Sequence, residues 1–497
     1  MAAPVDLLVI GGGINGVGVA RDAAGRGLSV VLAEKDDLGE GTSSRSGKYI
    51  HGGLRYLEYY EFRLVREALI EREVVLSAAP HLAWPLRLML VHSPAQRPRW
   101  LIRLGLFLYD HLGGRKRIPA TKPVRLDRAP EGQMVRDTFP NGFAYYDVWV
   151  DDARLVVLNA LDAARLGAEV LTRTAVTSAR RDGDLWVAQL TQSDGTAREV
   201  HARAIVNTAG PWVEQVLGNV AGVNSTKRIR LVKGSHIVMK RWWQGDHGYV
   251  LQAPDNRLIF VNPYMDDLAL IGTTDIPFEG APEEVKIEDH EIDYLLGILN
   301  THFKTDLTSG DLVWSYSGVR PLFDDDAAKG ASAVTRDYTF ELDGGQPGRA
   351  PILSAFGGKL TTYRKLSEAA LRKLETTFPQ MGRPWTADAP LPGGNLLNAD
   401  FDTWFAGFQS RWPWLPPDLA RHYARCYGTR ADEMLKGAEA LEDLGPRFGG
   451  LFYTREAEWL RAQEWAQTAD DMLLRRTKHG VLMSAAEQAQ VANWIAS

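Results

Sequence analysis

The sequence predicts an α/β fold, with α+β character over the whole chain, and three observations support this prediction. Residues 5–35, "VDLLVIGGGINGVGVARDAAGRGLSVVLAEK", follow a strand, tight turn, helix and strand pattern. Two later segments, 202–216 and 351–366, each lead from an apolar strand through small residues into a helix. Residues 396–497 have helical periodicity. A chain of 497 residues is long enough for two or three domains.

The composition indicates an ordinary globular protein. Hydrophobic residues make up 45% of the chain and charged residues 24%, and the net charge is −5. Such a balance gives no basic field for nucleic acid, so we expect no nucleic-acid partner. The single cysteine, Cys426, cannot form an internal disulfide. No zinc-ligand spacing is present, so we predict no metal and a reducing cytosol.

No export signal or membrane span is expected. The first strand begins at residue 5, which leaves no room for a charged segment followed by an apolar one. No apolar run reaches the roughly 18 residues of a spanning helix. We therefore predict a cytoplasmic protein, whose membrane association, if any, is at the surface.

The first turn carries a dinucleotide-binding pattern. Gly11, Gly13 and Gly16 form G-x-G-x-x-G between a strand and a helix. These glycines allow the turn, the approach of a pyrophosphate and close helix packing, in that order. Glu34 ends the next strand, close to the spacing of about 20 residues expected for a carboxylate that binds a ribose hydroxyl. NAD and FAD satisfy this pattern equally.

Two later strand-to-helix turns favour FAD. One contains Ala209 and Gly210, and the other contains Gly357 and Gly358. Small residues at these turns allow the chain to approach a ligand closely. Three such turns along the chain indicate one long cofactor on a discontinuous domain, although each turn alone is also typical of a tight strand-to-helix connection.

The motifs "TSSRSGKYIHGGLRYLEYYEFRLVREAL", "YSGVRPL" and "FGGKLTTYRKL" together resemble the bacterial aerobic FAD-dependent glycerol-3-phosphate dehydrogenases. The likeness extends from about residue 5 to the C-terminus. It implies a glutathione-reductase-like fold of the amino-acid-oxidase type, with a β-rich substrate domain and a C-terminal helical cap. The implied reaction oxidises sn-glycerol 3-phosphate to dihydroxyacetone phosphate by hydride transfer from C2 to FAD, followed by electron transfer to a membrane quinone. The implied location is the inner face of the cytoplasmic membrane, and the sequence leaves open a homodimer.

The site residues follow from the motifs and this resemblance. Catalytic candidates are His51 at the flavin face, Arg320, Lys359 and, as a second candidate for the base, His236. Substrate candidates are Arg55, Tyr56, Thr273, Arg320 and Arg336, because a phosphate group favours arginine. Cofactor candidates are Gly11, Gly13, Gly16, Glu34, Thr42, Ser43, Ser46, Gly52, Gly53, Ala209, Gly210, Gly358, Lys359, Leu360, Thr361 and Thr362. Alternatively, His51 bonds a loop, and Arg336 and His236 each pair with a nearby carboxylate.

The domain boundaries follow from the same motifs. We expect an FAD domain made of 1–80, 150–215 and 315–388, and a substrate domain made of 81–149 and 216–314. A Pro- and Gly-rich linker at 390–395 leads to the helical cap, 396–497.

Two amphipathic segments are candidates for membrane contact. The first is 359–378, where an apolar stripe is flanked by Arg364, Lys365, Arg372 and Lys373. The second is 97–117, which has a more apolar centre and basic ends. Either stripe could instead pack on the core.

Three rival functions remain open: an oxidase of the same substrate that uses O2, an amino-acid-oxidase-like enzyme, and a non-catalytic flavin-binding protein. The surplus of arginines in the predicted site argues against the second, and a non-catalytic protein would not need His51, Arg55, Arg320 and Lys359 together.

Overall fold

Two large sheets and a helical C-terminal unit make up the described part of the chain. The computed structural model describes residues 3–93, 96–225, 227–265, 267–323 and 337–497, with the backbone alone at 55, 58 and 59. The strands are β1 Val5–Ile10, β2 Val30–Ala33, β3 Tyr49–Ile50, β4 Ala83–His92, β5 Lys122–Arg125, β6 Asn141–Val150, β7 Glu169–Leu171, β8 Thr174–Asp182, β9 Leu185–Gln192, β10 Ala197–Asn207, β11 Ile229–Lys240, β12 Gly248–Gln252, β13 Leu258–Tyr264, β14 Leu268–Gly272, β15 Ile276–Pro277, β16 Leu312–Phe323, β17 Thr339–Asp343, β18 Ile352–Phe356, β19 Arg447–Gly449 and β20 Phe452–Tyr453.

The α-helices are α1 Ile14–Gly25, α2 Phe62–Ala78, α3 Arg99–Leu112, α4 Asp152–Arg165, α5 Val213–Gln215, α6 Asp289–His302, α7 Tyr363–Lys373, α8 Phe401–Arg411, α9 Pro417–Tyr427, α10 Ala431–Met434, α11 Thr454–Gln463 and α12 Ala485–Ala496. Short 3-10 helices include Thr42–Ser44, Leu54–Tyr59 and Leu360–Thr362.

The first sheet confirms the predicted α/β fold. Its strand order is β17-β18-β10-β1-β2-β7, and the pairs from β18 to β7 are parallel. β2 and β18 are buried along their whole length, as parallel strands covered on both faces should be. Apolar side chains of α1, α4 and α7 cover one face. The hairpin of β8 and β9 extends the sheet from β10.

The turn between β1 and α1 depends on glycine. Gly11 has a φ of +104°, which L side chains rarely adopt. A Cβ at Gly16 would lie 1.8 Å from the carbonyl oxygen of Gly11. Since that contact is with backbone, no rotamer change could relieve it, and a side chain at 16 would push α1 away from β1.

The second sheet is mostly antiparallel. Its order is β15-β11-β14-β13-β12-β4-β6-β3, with β16 on β11 and β5 on β6. Only the β12–β4 pair is parallel among the described pairs of this sheet. β3 and β16 belong here, although both overlap ranges expected in the FAD domain. The exact domain boundaries therefore stay a prediction.

The C-terminal unit is helical but more broken than its periodicity indicated. Residues 419–435 do not form one continuous helix, because α9 ends at Tyr427 and Gly428 has a φ of +54°. Residues 455–476 also divide, since α11 ends at Gln463 and a π-helical turn covers Asp471–Arg476. Apolar side chains from α8 to α12 form a core of their own.

The first membrane candidate, 359–378, is corrected by the structure. α7 buries Tyr363, Leu366 and Ala370 in the core beneath the first sheet. Arg364 is also buried, where its Nε donates to Glu71 at 2.8 Å and its Nη1 pairs with Glu368. The apolar stripe therefore faces protein, and only part of its basic flank remains at the surface.

The second candidate, 97–117, leaves apolar side chains exposed. α3 presents Trp100, Leu104 and Phe107, with 69%, 47% and 49% of their surfaces accessible. Tyr60 and Phe62, at the start of the contacting α2 region, are exposed as well. No helix in the described part of the chain is long and apolar enough to cross a bilayer.

Candidate functional site

A cavity of about 600 Å³ opens where the carboxyl ends of β1, β2 and β10 approach the second sheet. Its lining includes these predicted site residues: Gly11, Gly13, Glu34, Thr42, Ser43, Ser46, His51, Gly53, Tyr56, Ala209, Gly210, His236, Thr273, Arg320, Gly358, Lys359, Leu360 and Thr361. The fold thus gathers residues from segments more than three hundred positions apart around one space.

The nucleotide end of the cavity is formed by the start of α1. Gly13 precedes the helix without a side-chain cap, and the first amide, of Ile14, donates to Ser43 Oγ at 3.0 Å. The first N–H groups of a helix have no acceptor within it, and the helix dipole makes this end positive, so the start of α1 suits a phosphate group.

Glu34 stands at the end of β2, held by backbone amides. Its Oε2 accepts from the Gly12 N–H at 2.5 Å, and its Oε1 accepts from the Asp36 N–H at 2.9 Å. Burial raises the pKa of Glu34, although both amides act in the opposite direction. Each carboxylate oxygen has a second lone pair, so the fixed group can also accept from a ribose hydroxyl.

These features fit FAD. The glycine turn leaves room for backbone to approach a pyrophosphate, and the carboxylate lies at the adjacent strand end. The cavity then continues past Ala209 and Gly358 to the second sheet, which gives space for a longer group than the adenosine half.

At the other end, Arg320 is fixed by two partners. Its Nη1 donates to Asp275 Oδ1 at 2.8 Å, and its Nη2 donates to Thr273 Oγ1 at 3.0 Å. A Cβ at Gly234 on the neighbouring β11 would lie 2.4 Å from Nη2, so the absence of a side chain there makes room for the guanidinium. Arg320 is therefore an oriented cation at the cavity wall.

Lys359 and His51 come from the loops opposite. Lys359 Nζ lies 4.0 Å from the ring centre of Tyr56, a cation–π contact. The backbone N–H of His51 donates to Thr361 Oγ1 at 3.3 Å. The motifs "IHGGLRYLE" and "FGGKLTTYRK", remote in sequence, thus meet at the cavity.

His236 is the most buried of the candidate bases. Its ring stacks on Tyr316 at a centroid distance of 4.8 Å, and its Nδ1 has no hydrogen-bond partner among the described residues. Burial, followed by the charges of Arg320 and Lys48, lowers the pKa of His236 well below 6.5. The imidazole is therefore neutral near pH 7 and retains a lone pair that can accept a proton.

Several predicted site residues lie away from the cavity lining or outside the residues that the structure describes. Among the described residues, the cavity lining does not include Gly16, Gly52 or Thr362. Gly16 packs against the backbone of Gly11, and the Gly52 N–H donates to the Tyr109 hydroxyl. Thr362 is buried. The Arg55 side chain and all of Arg336 fall outside the described residues.

Two of the lining hydroxyls already have partners. Thr42 Oγ1 donates to the Val319 carbonyl at 2.6 Å, and Ser46 Oγ donates to Asp152 Oδ2 at 2.7 Å. Their role as cofactor ligands stays a prediction.

Sequence reasoning missed four residues that contribute polar groups to the cavity wall. Asp275 orients Arg320, and the only signal for it was its position in "GTTD" after Thr273. At the nucleotide end, Lys35 lies 4.3 Å from the ring centre of Trp212, whose Nε1 donates to Glu283. Lys35, Trp212 and Glu283 come from three distant segments, so no local sequence motif could indicate that they meet.

Comparison with known proteins places the chain in a family. Residues 6–364 match the family model described as FAD dependent oxidoreductase. Residues 384–496 match the model for the C-terminal domain of alpha-glycerophosphate oxidase. Together the two matches cover most of the chain, and the cofactor is FAD.

Curated relatives are similar over nearly the whole length. D-erythritol 1-phosphate dehydrogenase of Brucella abortus is 57% identical, covering 99% of this chain and 98% of the relative. Aerobic glycerol-3-phosphate dehydrogenase of Escherichia coli is 50% identical, covering 99% and 97%.

A solved structure supports the fold. Glycerol-3-phosphate dehydrogenase from Bacillus halodurans, complexed with FAD, superposes with a TM-score of 0.76 at 24% identity, covering 99% of this chain and 94% of that one.

Proposed function

Because the chain belongs to the FAD-dependent oxidoreductase family, we propose that it oxidises the secondary alcohol of a small polyol phosphate, with sn-glycerol 3-phosphate as the first candidate substrate. The product is then dihydroxyacetone phosphate. The name of the Escherichia coli relative supports this choice at 50% identity.

The observation that carries the proposal is the fixed Arg320. A planar guanidinium presents paired N–H donors that match a phosphate group. Asp275 and Thr273 hold its plane at the cavity wall, and Lys359 adds a second cation to the lining of the same cavity. Arg55 and Arg336 remain further candidates for the same role.

The chain's residues bind, orient and deprotonate the substrate. Arg320 and Thr273 bind the phosphate, which positions the carbinol. His51 is the first candidate to accept the hydroxyl proton and His236 the second, because both rings line the cavity. Lys359 stabilises negative charge on the developing alkoxide. FAD would supply the two-electron acceptor, and a membrane quinone is the proposed final acceptor.

D-erythritol 1-phosphate is the second candidate substrate. It is favoured by the Brucella abortus relative, which is 57% identical to this chain. Both compounds carry a phosphate monoester and a secondary alcohol, but erythritol phosphate is one carbon longer. The same phosphate-binding residues, Arg320 and Thr273, suit both compounds, so the two substrates must be distinguished by their rates of oxidation.

Steady-state assays with a soluble dye acceptor separate the substrates. We expect one of the two phosphates to give the higher kcat/KM, and glycerol and erythritol to give almost no rate. Equal rates of oxidation for a polyol and its phosphate would contradict a phosphate-binding role for Arg320. Replacing the dye with O2 and measuring peroxide tests the oxidase alternative, which predicts stoichiometric peroxide.

The proposed location of the enzyme is the inner face of the cytoplasmic membrane, where a lipid-soluble quinone is available. The apolar face of α3, which comprises Trp100, Leu104 and Phe107, supports this proposal. Arg99 and Arg115 stand at the two ends of that face and suit anionic lipid. A homodimer stays a prediction.

A further inference from the structure

The C-terminal unit contains a second group of reactive side chains, none of which lines the cavity. His422 lies on α9, Glu456 on α11, and His479 begins a 3-10 turn after the π-helical segment. One ligand atom from each residue lies within 4.8 Å of the others. The relatives' names and the proposed reaction give these residues no role.

The distances among the ligand atoms bracket the spacing of a tetrahedral metal site, although the two nitrogens approach different oxygens of Glu456. The two Nε2 atoms are 3.1 Å apart, and His422 Nε2 lies 2.7 Å from Glu456 Oε1. His479 Nε2 lies 3.6 Å from Glu456 Oε2. Zinc bonds of about 2.0–2.1 Å in a tetrahedron place neighbouring ligand atoms about 3.3 Å apart. Small side-chain shifts would therefore complete the coordination.

Hydrogen bonding alone leaves this group incompletely satisfied. The two facing Nε2 atoms can share only one proton between them. Glu456 is fully buried, yet its Oε2 accepts no hydrogen bond from any residue that the structure describes, and His479 Nε2 is 3.6 Å away. A buried carboxylate oxygen without a partner is uncommon and calls for a missing ion or water. A cation among the three ligands would bond both nitrogens and this oxygen.

Neighbouring side chains orient the ligands as they do in metal sites. The Tyr427 hydroxyl donates to Glu456 Oε1 at 2.6 Å. Cys426 Sγ lies 3.7 Å from His422 Nδ1, the ring nitrogen that faces away from the cluster. Such outer partners fix ring orientation and tautomer. His422 is 11% exposed at its side chain, so the cluster lies close to the protein surface.

We propose that His422, Glu456 and His479 bind one Zn²⁺ ion, with water as the fourth ligand. Two imidazoles and a carboxylate form a donor set that suits zinc. The ion would join α9 and α11 to the segment that follows the π-helical turn, and would stabilise the C-terminal unit. This departs from the expectation of no metal, because the ligands are too far apart in sequence to form a recognisable spacing.

The test uses untagged holoenzyme, its His479→Gln variant and the control His290→Gln, which changes an exposed histidine on α6. Zinc is measured by elemental analysis after dialysis, and Co²⁺ is added to chelator-treated protein to look for the visible absorption of tetrahedral cobalt. We expect one zinc per chain, a cobalt band and a Zn²⁺-dependent rise in the thermal midpoint for the wild type and the control.

His479→Gln should bind zinc more than about tenfold more weakly and lose the cobalt band. Its flavin absorbance should persist, which shows that the FAD unit still folds. A zinc content no higher than background in reconstituted wild-type protein, together with the absence of a cobalt band, would overturn the proposal. Zinc that stays bound at full stoichiometry in His479→Gln would also overturn it, since the ion would then lie elsewhere. If His479→Gln does not fold, the wild-type cobalt spectrum decides.

Discussion

Arg320 differs from a surface cation because two partners hold its guanidinium plane. Arg320→Lys keeps the charge but loses the planar pair of donors. We expect kcat/KM on the preferred polyol phosphate to fall about 10- to 100-fold, the equivalent of losing one charge-assisted hydrogen bond of roughly 1.5–3 kcal/mol. FAD content should not change. Arg198→Lys, in a half-exposed pair on β10, is the matched control and should retain full activity.

The space that Gly234 leaves for the Arg320 guanidinium allows a second test of the phosphate-binding role of Arg320. In Gly234→Ala the new Cβ would meet Arg320 Nη2 at 2.4 Å and Thr273 Oγ1 at 2.7 Å. Because a flexible side chain can move, we expect the fold and FAD content to survive while KM for the phosphate rises. Gly297→Ala on α6, whose Cβ meets nothing within 4 Å, should leave KM unchanged. An unaltered KM in Gly234→Ala would argue against Arg320 as the phosphate ligand.

The sequence predicted the individual cavity residues better than their partners. Gly11, Lys359 and Arg320 stand in motifs that can be recognised locally. Asp275 was missed because its partner lies 45 positions away, on a strand that reaches it only through β11. Pairings of this kind depend on sheet order, which local patterns do not encode.

Among the elements, α3 and α7 show where amphipathic patterns become ambiguous. Both have an apolar stripe with basic flanks, and the sequence favoured α7, whose stripe is buried, over α3, whose stripe is exposed. The stripe of α7 packs in the core, and Glu71, from the distant α2, pairs with Arg364 inside the protein. Periodicity shows that a helix has an apolar face, but the partner of that face is a tertiary property.

Vesicle binding tests α3 directly. Leu104→Gln with Phe107→Gln removes two exposed apolar side chains, so we expect weaker cosedimentation with anionic vesicles and normal activity on a soluble dye. Arg372→Gln with Lys373→Gln, on the exposed end of α7, is the matched control and should bind normally. Raising the salt to 1 M, where screening shortens to about 3 Å, should release part of the wild type. Full binding by the α3 variant would exclude this face.

At the scale of the whole molecule, buried ion pairs attach the C-terminal unit to the FAD-binding sheet. Arg154 on α4 and Arg430 both pair with Glu464, and Arg476 pairs with Asp37. Burial raises the pKa of Glu464, but the two arginines outweigh it and hold that pKa at about 2. The carboxylate is therefore charged at all working pH values.

Neutralising this carboxylate should loosen the attachment. Glu464→Gln leaves two buried guanidinium groups without a counter-charge, a change that typically costs about 3–5 kcal/mol. We expect an earlier urea transition for the C-terminal unit. Glu169→Gln breaks a half-exposed pair and should change stability by less than about 1 kcal/mol. Equal effects of the two substitutions would refute a role for Glu464 in docking.

His81 predicts how stability depends on pH. Burial, followed by Arg154, Arg425 and Arg430, lowers the pKa of His81 from 6.5 to about 3. Between these values the unfolded chain binds a proton that the folded chain does not, so acidification favours unfolding. The contribution is at most about 1.4 kcal/mol per pH unit. Urea titrations from pH 7 to 5 should show a shallower loss in His81→Phe, and parallel curves would contradict this assignment.

The most direct test of the phosphate-directed oxidation is anaerobic flavin bleaching in the wild-type holoenzyme. Without any acceptor, substrate alone must reduce the bound FAD and remove its visible absorbance. We predict bleaching by sn-glycerol 3-phosphate or D-erythritol 1-phosphate, and none by glycerol, erythritol or glycine at the same concentration. Bleaching by an unphosphorylated compound as rapidly as by its phosphate, or by neither phosphate, would contradict the account.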